Sequence, residues 1–262
     1  MSGEVRLSDD GGLATRLVTA LAELTARVEP GTFALVGGLA VMARLRQVHR
    51  ATEDIDGVSQ QVGDHPSAVA VVLGETSPGT KPRPIAGVKI DHIDVGAVPA
   101  VEIPASDLPE DEWDRAFVLA HRWGLDTATP ATLSSVRQGQ IRSTVTCLVA
   151  SPASLVTMKL QSAPRRPPAR VHKAANDYLD LFRFLSDGEL APAIATDLVQ
   201  CAPHKLGSWA IQRIQIEMSE GADNVARALR RGAPQQLIGA DDVAGAADAF
   251  LERVRSIGGT GD

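Results

Sequence analysis

The residues of this chain best suited to chemistry lie in one short stretch. The apolar run Phe33-Ala34-Leu35-Val36 stops at Gly37-Gly38, and Thr52-Glu53-Asp54-Ile55-Asp56 follows a little further on. Glycines let a backbone approach a ligand with no Cβ in the way. A helix starting there directs its unpaired N–H groups and positive end at the same place, which suits a phosphate. Asp54 and Asp56 are two apart, so on a strand both side chains face one way. Two carboxylates on one face, with no lysine between them, repel unless a cation sits there. Magnesium (or Mn2+) is the natural choice, because it takes oxygen ligands and bridges to substrate phosphates. A third carboxylate on a neighbouring strand would complete the site. Asp94 in Ile93-Asp94-Val95 is the first candidate and Asp91 the alternative.

These residues need elements to hold them. Leu13, Leu17, Leu21, Leu24 and Val28 recur at helical spacing and predict a helix over 12–29, closed by Pro30-Gly31. The run 33–36 reads as a buried strand, 39–45 as a helix and 53–58 as a second strand. Asp64 and Pro66 favour a helix start before 67–73. Val88–Val98 alternates and reads as a strand, 110–123 as a helix and 143–150 as a strand. From Ser151 the texture becomes helical, with predicted helices from 151, over 169–185, and near 189–201, 205–219, 222–231 and 241–257. The expectation is an α+β chain, with an α/β domain over 1–150 and an all-helical domain over 151–262.

Composition narrows the function classes. The chain has 262 residues, 44% hydrophobic, 3% aromatic, with a net charge of −6. The apolar fraction is that of a globular protein. The acidic balance argues against an indiscriminate nucleic-acid coat, and so few aromatics argue against base-stacking platforms. Residues 1–150 hold 13 basic and 19 acidic side chains, and residues 151–262 hold 13 of each. The whole excess therefore lies with the aspartate candidates. No apolar run is long enough to span a membrane, and the N-terminus does not read as a signal peptide. Cys147 and Cys201 form no metal or disulfide pattern and read as reduced thiols of a cytoplasmic protein.

The order strand, Gly-Gly, helix, Asp-x-Asp strand, later Asp-bearing strand resembles the nucleotidyltransferase superfamily (the polymerase-β-like fold), and within it the AbiEii / MenT-type nucleotidyltransferase toxins. The match is VGGLAVMARL…HRATEDIDGV, with His49, Arg50, Thr52, Asp54 and Asp56 on the family pattern. A second match opens the helical half. SPASLVTMKLQSA resembles the family helix with an embedded lysine, here Lys159. Arg170 with Asn176-Asp177-Tyr178-Leu179-Asp180-Leu181 resembles its Arg…Lys-Asp-x-x-Asp-Leu element. The chain departs from the family in two places. Gly37-Gly38 stands where many members have Gly-Ser, and Asn176-Asp177 stands where the family has Lys-Asp, with Lys173 one turn earlier.

The resemblance implies a nucleotidyltransferase fold and a magnesium-dependent transfer of a nucleoside monophosphate from an NTP to an acceptor, with pyrophosphate leaving. Asp54, Asp56 and Asp94 would hold the metal, and Asp94 would help deprotonate the attacking hydroxyl. Gly37, Gly38 and Thr52 would meet the nucleotide. Lys159 or Lys173 would neutralise phosphate, and Asp177, with Asp180 its alternative, would organise the nucleotide or the lysine. Arg44, Arg46, His49 and Arg50, then Arg165, Arg166, Arg170, His172 and Lys173, form basic clusters where a phosphate-bearing acceptor could dock. Ordinary solvated loops are the plainer account of them. The implied acceptor is RNA, at the 3′ end of tRNA, with the protein acting as a toxin beside a cognate antitoxin. Two alternatives remain: an antibiotic-modifying nucleotidyltransferase, and a non-catalytic nucleotide-binding or antitoxin-type partner.

Overall fold

A computed structural model describes residues 4–9, 11–48, 52–75 and 80–259. Within them the chain is α+β, with a mixed six-stranded sheet flanked by helices and a separate group of helices. It divides into two compact units. One comprises 1–103 with 121–151, the other 104–120 with 152–262. The segment 104–120 thus groups with the helices, although its sequence position places it with the N-terminal part. Among the described residues, no helix is long and apolar enough to cross a membrane.

The first unit is built on the sheet. Its strands are β1 (Glu4–Ser8), β2 (Phe33–Val36), β3 (Asp54–Gln60), β4 (Lys89–Val95), β5 (Thr129–Arg137) and β6 (Gln140–Val149). Their order is β1-β5-β6-β2-β3-β4. β2 runs antiparallel to β3, and β3 runs parallel to β4. Every residue of β2 is buried, as a central strand made of Phe-Ala-Leu-Val should be. Helix α1 (Leu13–Thr25) packs on β5 and β6 through Leu17, Val18, Leu21 and Leu24. Helix α2 (Gly37–Leu45) starts where β2 ends and buries Leu39 to Ala43. Helix α3 (Ala68–Leu73) is capped by the Ser67 hydroxyl, which accepts from the Ala70 N–H.

Two strands were not expected. β1 alternates, burying Val5 and Leu7. β5 is rich in Ser and Thr and pairs with β6 through the two-residue turn Gln138-Gly139. Both turn residues have positive φ, 53° and 75°, as a hairpin turn that matches strand twist requires. That turn extends β6 back to Gln140, earlier than the predicted start at 143.

Helix α4 (Glu112–Asp126) contributes to both groupings, since the unit boundary falls within it. The helical unit is completed by α5 (Pro152–Ser162), α6 (Val171–Ser186), α7 (Leu190–Gln200), α8 (Leu206–Arg213), α9 (Ala222–Gly232) and α10 (Ala240–Gly258). The helix expected over 205–219 is α8 followed by a π-helical turn, Ile214–Glu220. α5 is buried continuously from Ala153 to Leu160, so it is the central helix of this unit.

The two cysteines differ in environment. Cys147, on β6, is buried and its thiol is pushed up to about 12 by burial, while Cys201 is exposed. Thiolate is the reactive form. One thiol, Cys201, is therefore expected to react quickly with an alkylating reagent in the native protein. Cys147 reacts only on unfolding, and mass spectrometry of the labelled peptides checks this. Equal labelling rates would contradict the burial of Cys147.

Candidate metal centre

The site begins at the Gly37 turn. Val36 is extended, at φ −128°, and Gly37 turns the chain into α2 at φ +67°. That conformation favours glycine. The space demands it as well. A Cβ on Gly37 would stand 2.1 Å from Asp56 Oδ2 and 2.7 Å from Asp56 Cγ. The Asp56 carboxylate therefore occupies the volume that any other residue at 37 would fill.

The registers then decide which carboxylates meet. Asp56 pairs with Val36 on one side and with Asp91 on the other, and Asp54 pairs with Lys89. Neighbouring residues across a ladder share a face, so Asp54, Asp56, Lys89 and Asp91 project together. A carboxylate oxygen from each of Asp54, Asp56 and Asp91 lies within 4.8 Å of the other two. Each such pair repels by about 1 kcal/mol in water and about 3–4 kcal/mol at an effective dielectric of 20. The donor set is all oxygen, half-buried, and suited to a hard divalent cation.

Asp94 is not part of this group. It pairs in register with Ser59, three residues beyond Asp91, and so lies on the opposite face. The Ser59 hydroxyl donates to Asp94 Oδ1 at 2.5 Å, and His92 Nε2 lies 3.3 Å from the same oxygen. Ser67, the α3 cap, is 3.1 Å from Ser59. Asp94 thus helps tie α3 to the sheet, and Asp91 takes the position expected for it.

Lys89 was missed in the sequence. Its Nζ donates to Asp91 Oδ2 at 2.5 Å. That hydrogen bond, then the Coulomb attraction of Asp91, Asp54 and Asp56, raises the Lys89 pKa. The ammonium is therefore charged through neutral pH, and the pair is lost only as pH rises through that elevated value. Lys89 is exposed and can swing away. It is expected to compete with a divalent cation for Asp91. Lys89→Gln should bind Mn2+ several-fold more tightly, read by calorimetry, and unchanged or weaker binding would exclude that competition.

Comparison with known protein families, with curated proteins and with solved structures finds no match.

The remaining candidates of the first unit are placed as follows. Thr52 is half-buried, its hydroxyl 3.4 Å from Asp54 Oδ1 and from the Asp54 carbonyl. Gly38 is buried in the first turn of α2. Arg46 is exposed and caps α2 in the left-handed region at φ 53°. Arg44 is not available to an acceptor. Its guanidinium donates to the carbonyls of Ala150, Val149 and Thr129, and so fastens the end of α2 to β5 and β6. His49 and Arg50 lie outside the described residues.

In the helical unit the predicted residues form a buried charge cluster. Lys159 Nζ lies 2.6 Å from Asp177 Oδ1 and 3.0 Å from Asp180 Oδ2. The Ser162 hydroxyl and the Arg166 Nε also donate to Asp177 Oδ2, at 3.1 and 3.0 Å. Asp180 is completely buried and Lys159 is 7% exposed. Lys159, expected as a phosphate cation, is thus buried and paired with two aspartates, and the three join α5 to α6. Asp177 and Asp180 both serve this cluster, and neither stands on a solvated helix face. Arg165 pairs with Asp114 at 3.5 Å and lies over the Trp113 ring, 5.8 Å from its centroid. Arg170 and Lys173 are exposed at the start of α6.

Proposed function

We propose that this chain is a magnesium-dependent nucleotidyltransferase that moves a nucleoside monophosphate from an NTP to an RNA acceptor, tRNA by resemblance, as the toxin of a toxin–antitoxin pair. One observation carries the reading: Asp54, Asp56 and Asp91 converge on one sheet face beside a glycine turn that Asp56 itself fills. The same order of strand, glycine turn and Asp-x-Asp strand carries the resemblance.

Asp54, Asp56 and Asp91 would hold magnesium. When bound, the ion offsets the charge of the triphosphate and of the departing pyrophosphate. Gly37 keeps the backbone close to the carboxylates and leaves Asp56 its place. Asp91 takes the proton of the attacking hydroxyl as its oxygen bonds to the α-phosphorus and the bond to pyrophosphate breaks. Lys89 holds Asp91 in place before substrate arrives. No role in the transfer is given to Lys159, Asp177 or Asp180, whose charges are balanced with the help of Arg166.

The test is direct. Incubation with magnesium, each labelled NTP in turn and total tRNA should leave label on RNA and release pyrophosphate, and a chelator should stop both. No transfer from any NTP to RNA would sink the reading. A non-catalytic nucleotide binder is favoured by one observation, the Lys89 ammonium already bonded to Asp91, one of the three carboxylates. Nucleotide binding without pyrophosphate release in the same assay would establish that alternative.

A further inference from the structure

The last turn of α9 meets the first turn of α6. Gly232 permits the contact, because a Cβ there would stand 2.5 Å from Ala175 Cβ and 2.9 Å from the Cα of His172. Close approach at this point brings the α9 arginines beside the basic start of α6. Arg170, His172 and Lys173 lie at that start, and Arg227, Arg230 and Arg231 along the end of α9. All six are exposed. The first turn of α6 has no acidic residue, and the acid of α9, Asp223, lies at its far end. Among the described residues, Arg170, Arg227, Arg230 and Arg231 have no ion pair. Arg165 and Arg166, by contrast, are committed to Asp114 and Asp177.

Arg227 and Arg231, four apart on one helix, repel by a few tenths of a kcal/mol. A polyanion reverses that sign and gains by releasing its counterions. We propose that Arg170, Lys173, Arg227, Arg230 and Arg231 form a docking face for the phosphate backbone of the RNA acceptor. The proposal rests on the RNA-acceptor reading and adds to it a surface from α9 that the basic stretch 165–173 alone did not indicate. A lipid surface fits less well, because membrane-lying helices need large apolar side chains beside their basic ones. On α9 the residues flanking these arginines include Asn224, which is exposed, and Ala228, which is half-buried, and neither is a large apolar side chain.

The test uses the full chain and labelled total tRNA, with anisotropy read across a series of KCl concentrations. The variant is Arg227→Gln/Arg230→Gln/Arg231→Gln, checked for an unchanged circular dichroism spectrum, with the single Arg227→Gln variant as a milder second probe. The triple variant should bind at least about tenfold more weakly, and its log–log salt slope should fall by about 2–3, the single variant's by just under 1. Affinity and slope equal to wild type in both folded variants would overturn the docking face, and continued labelling of RNA would show that the transfer reading survives. Failure of the wild type to bind or label RNA would overturn the acceptor reading and the docking face together. Binding to anionic vesicles that is lost in the triple variant, with RNA binding intact, would assign the face to lipid instead.

Discussion

Asp56→Asn should lower nucleotidyl transfer by at least about a thousandfold, a loss of about 4 kcal/mol of transition-state stabilisation. The substitution is nearly isosteric, so the amide can sit in the space that Gly37 leaves open, and the fold should persist. What disappears is one of three charges that need a cation in their midst. Two readouts should therefore move together. Transfer of label to RNA should fall, and the gain in melting temperature on adding Mg2+ or Mn2+ should shrink. Asp91→Asn should behave like Asp56→Asn, because the ladder places it opposite Asp56. Asp94→Asn should leave metal binding intact, because its carboxylate faces Ser59 and His92. Wild-type activity in Asp56→Asn, or a metal response lost in Asp94→Asn but kept in Asp91→Asn, would overturn the assignment.

Lys159→Met should be the most destabilising of the substitutions considered. It leaves Asp180, completely buried, and Asp177 without their shared cation. Removing one partner of a buried ion pair costs about 3–5 kcal/mol, a large share of the stability of a typical domain. Arg166 still serves Asp177, so the unmet charge falls chiefly on Asp180. Adding Asp180→Asn to Lys159→Met should accordingly recover much of the loss. Thermal unfolding followed by circular dichroism decides the matter. A Lys159→Met protein that melts with wild type but fails to bind NTP would return Lys159 to the role of phosphate ligand.

The helices were legible wherever one face is apolar. The Leu17, Leu21, Leu24 spacing marks α1, and α6 and α10 show the same pattern. Periodicity is a local property, so sequence alone reports it. β5 was hidden because its Ser and Thr residues lack an apolar alternation. The signal that could have found it is Gln138-Gly139, a two-residue hairpin turn flanked by strand formers. Lys89 could also have been found, since it precedes Asp91 by two residues and must share its face on a strand.

Within the site, local sequence determined that Asp54 and Asp56 share a face and that a glycine turn precedes a helix, because strand alternation and glycine geometry act over a few residues. It also determined that Asp91 and Asp94 occupy opposite faces, by parity. Only tertiary structure decided which of them meets the pair, since that depends on the register of β4 against β3, set by contacts between segments far apart in the chain. The burial of Lys159 was likewise invisible locally. A lysine in a helix reads the same whether its end reaches water or two aspartates on the next helix, and only the packing of α5 against α6 decides. The opposed ends of α6 and α9 follow the same rule. Their charges are in the sequence, but their adjacency comes from the close approach that Gly232 allows.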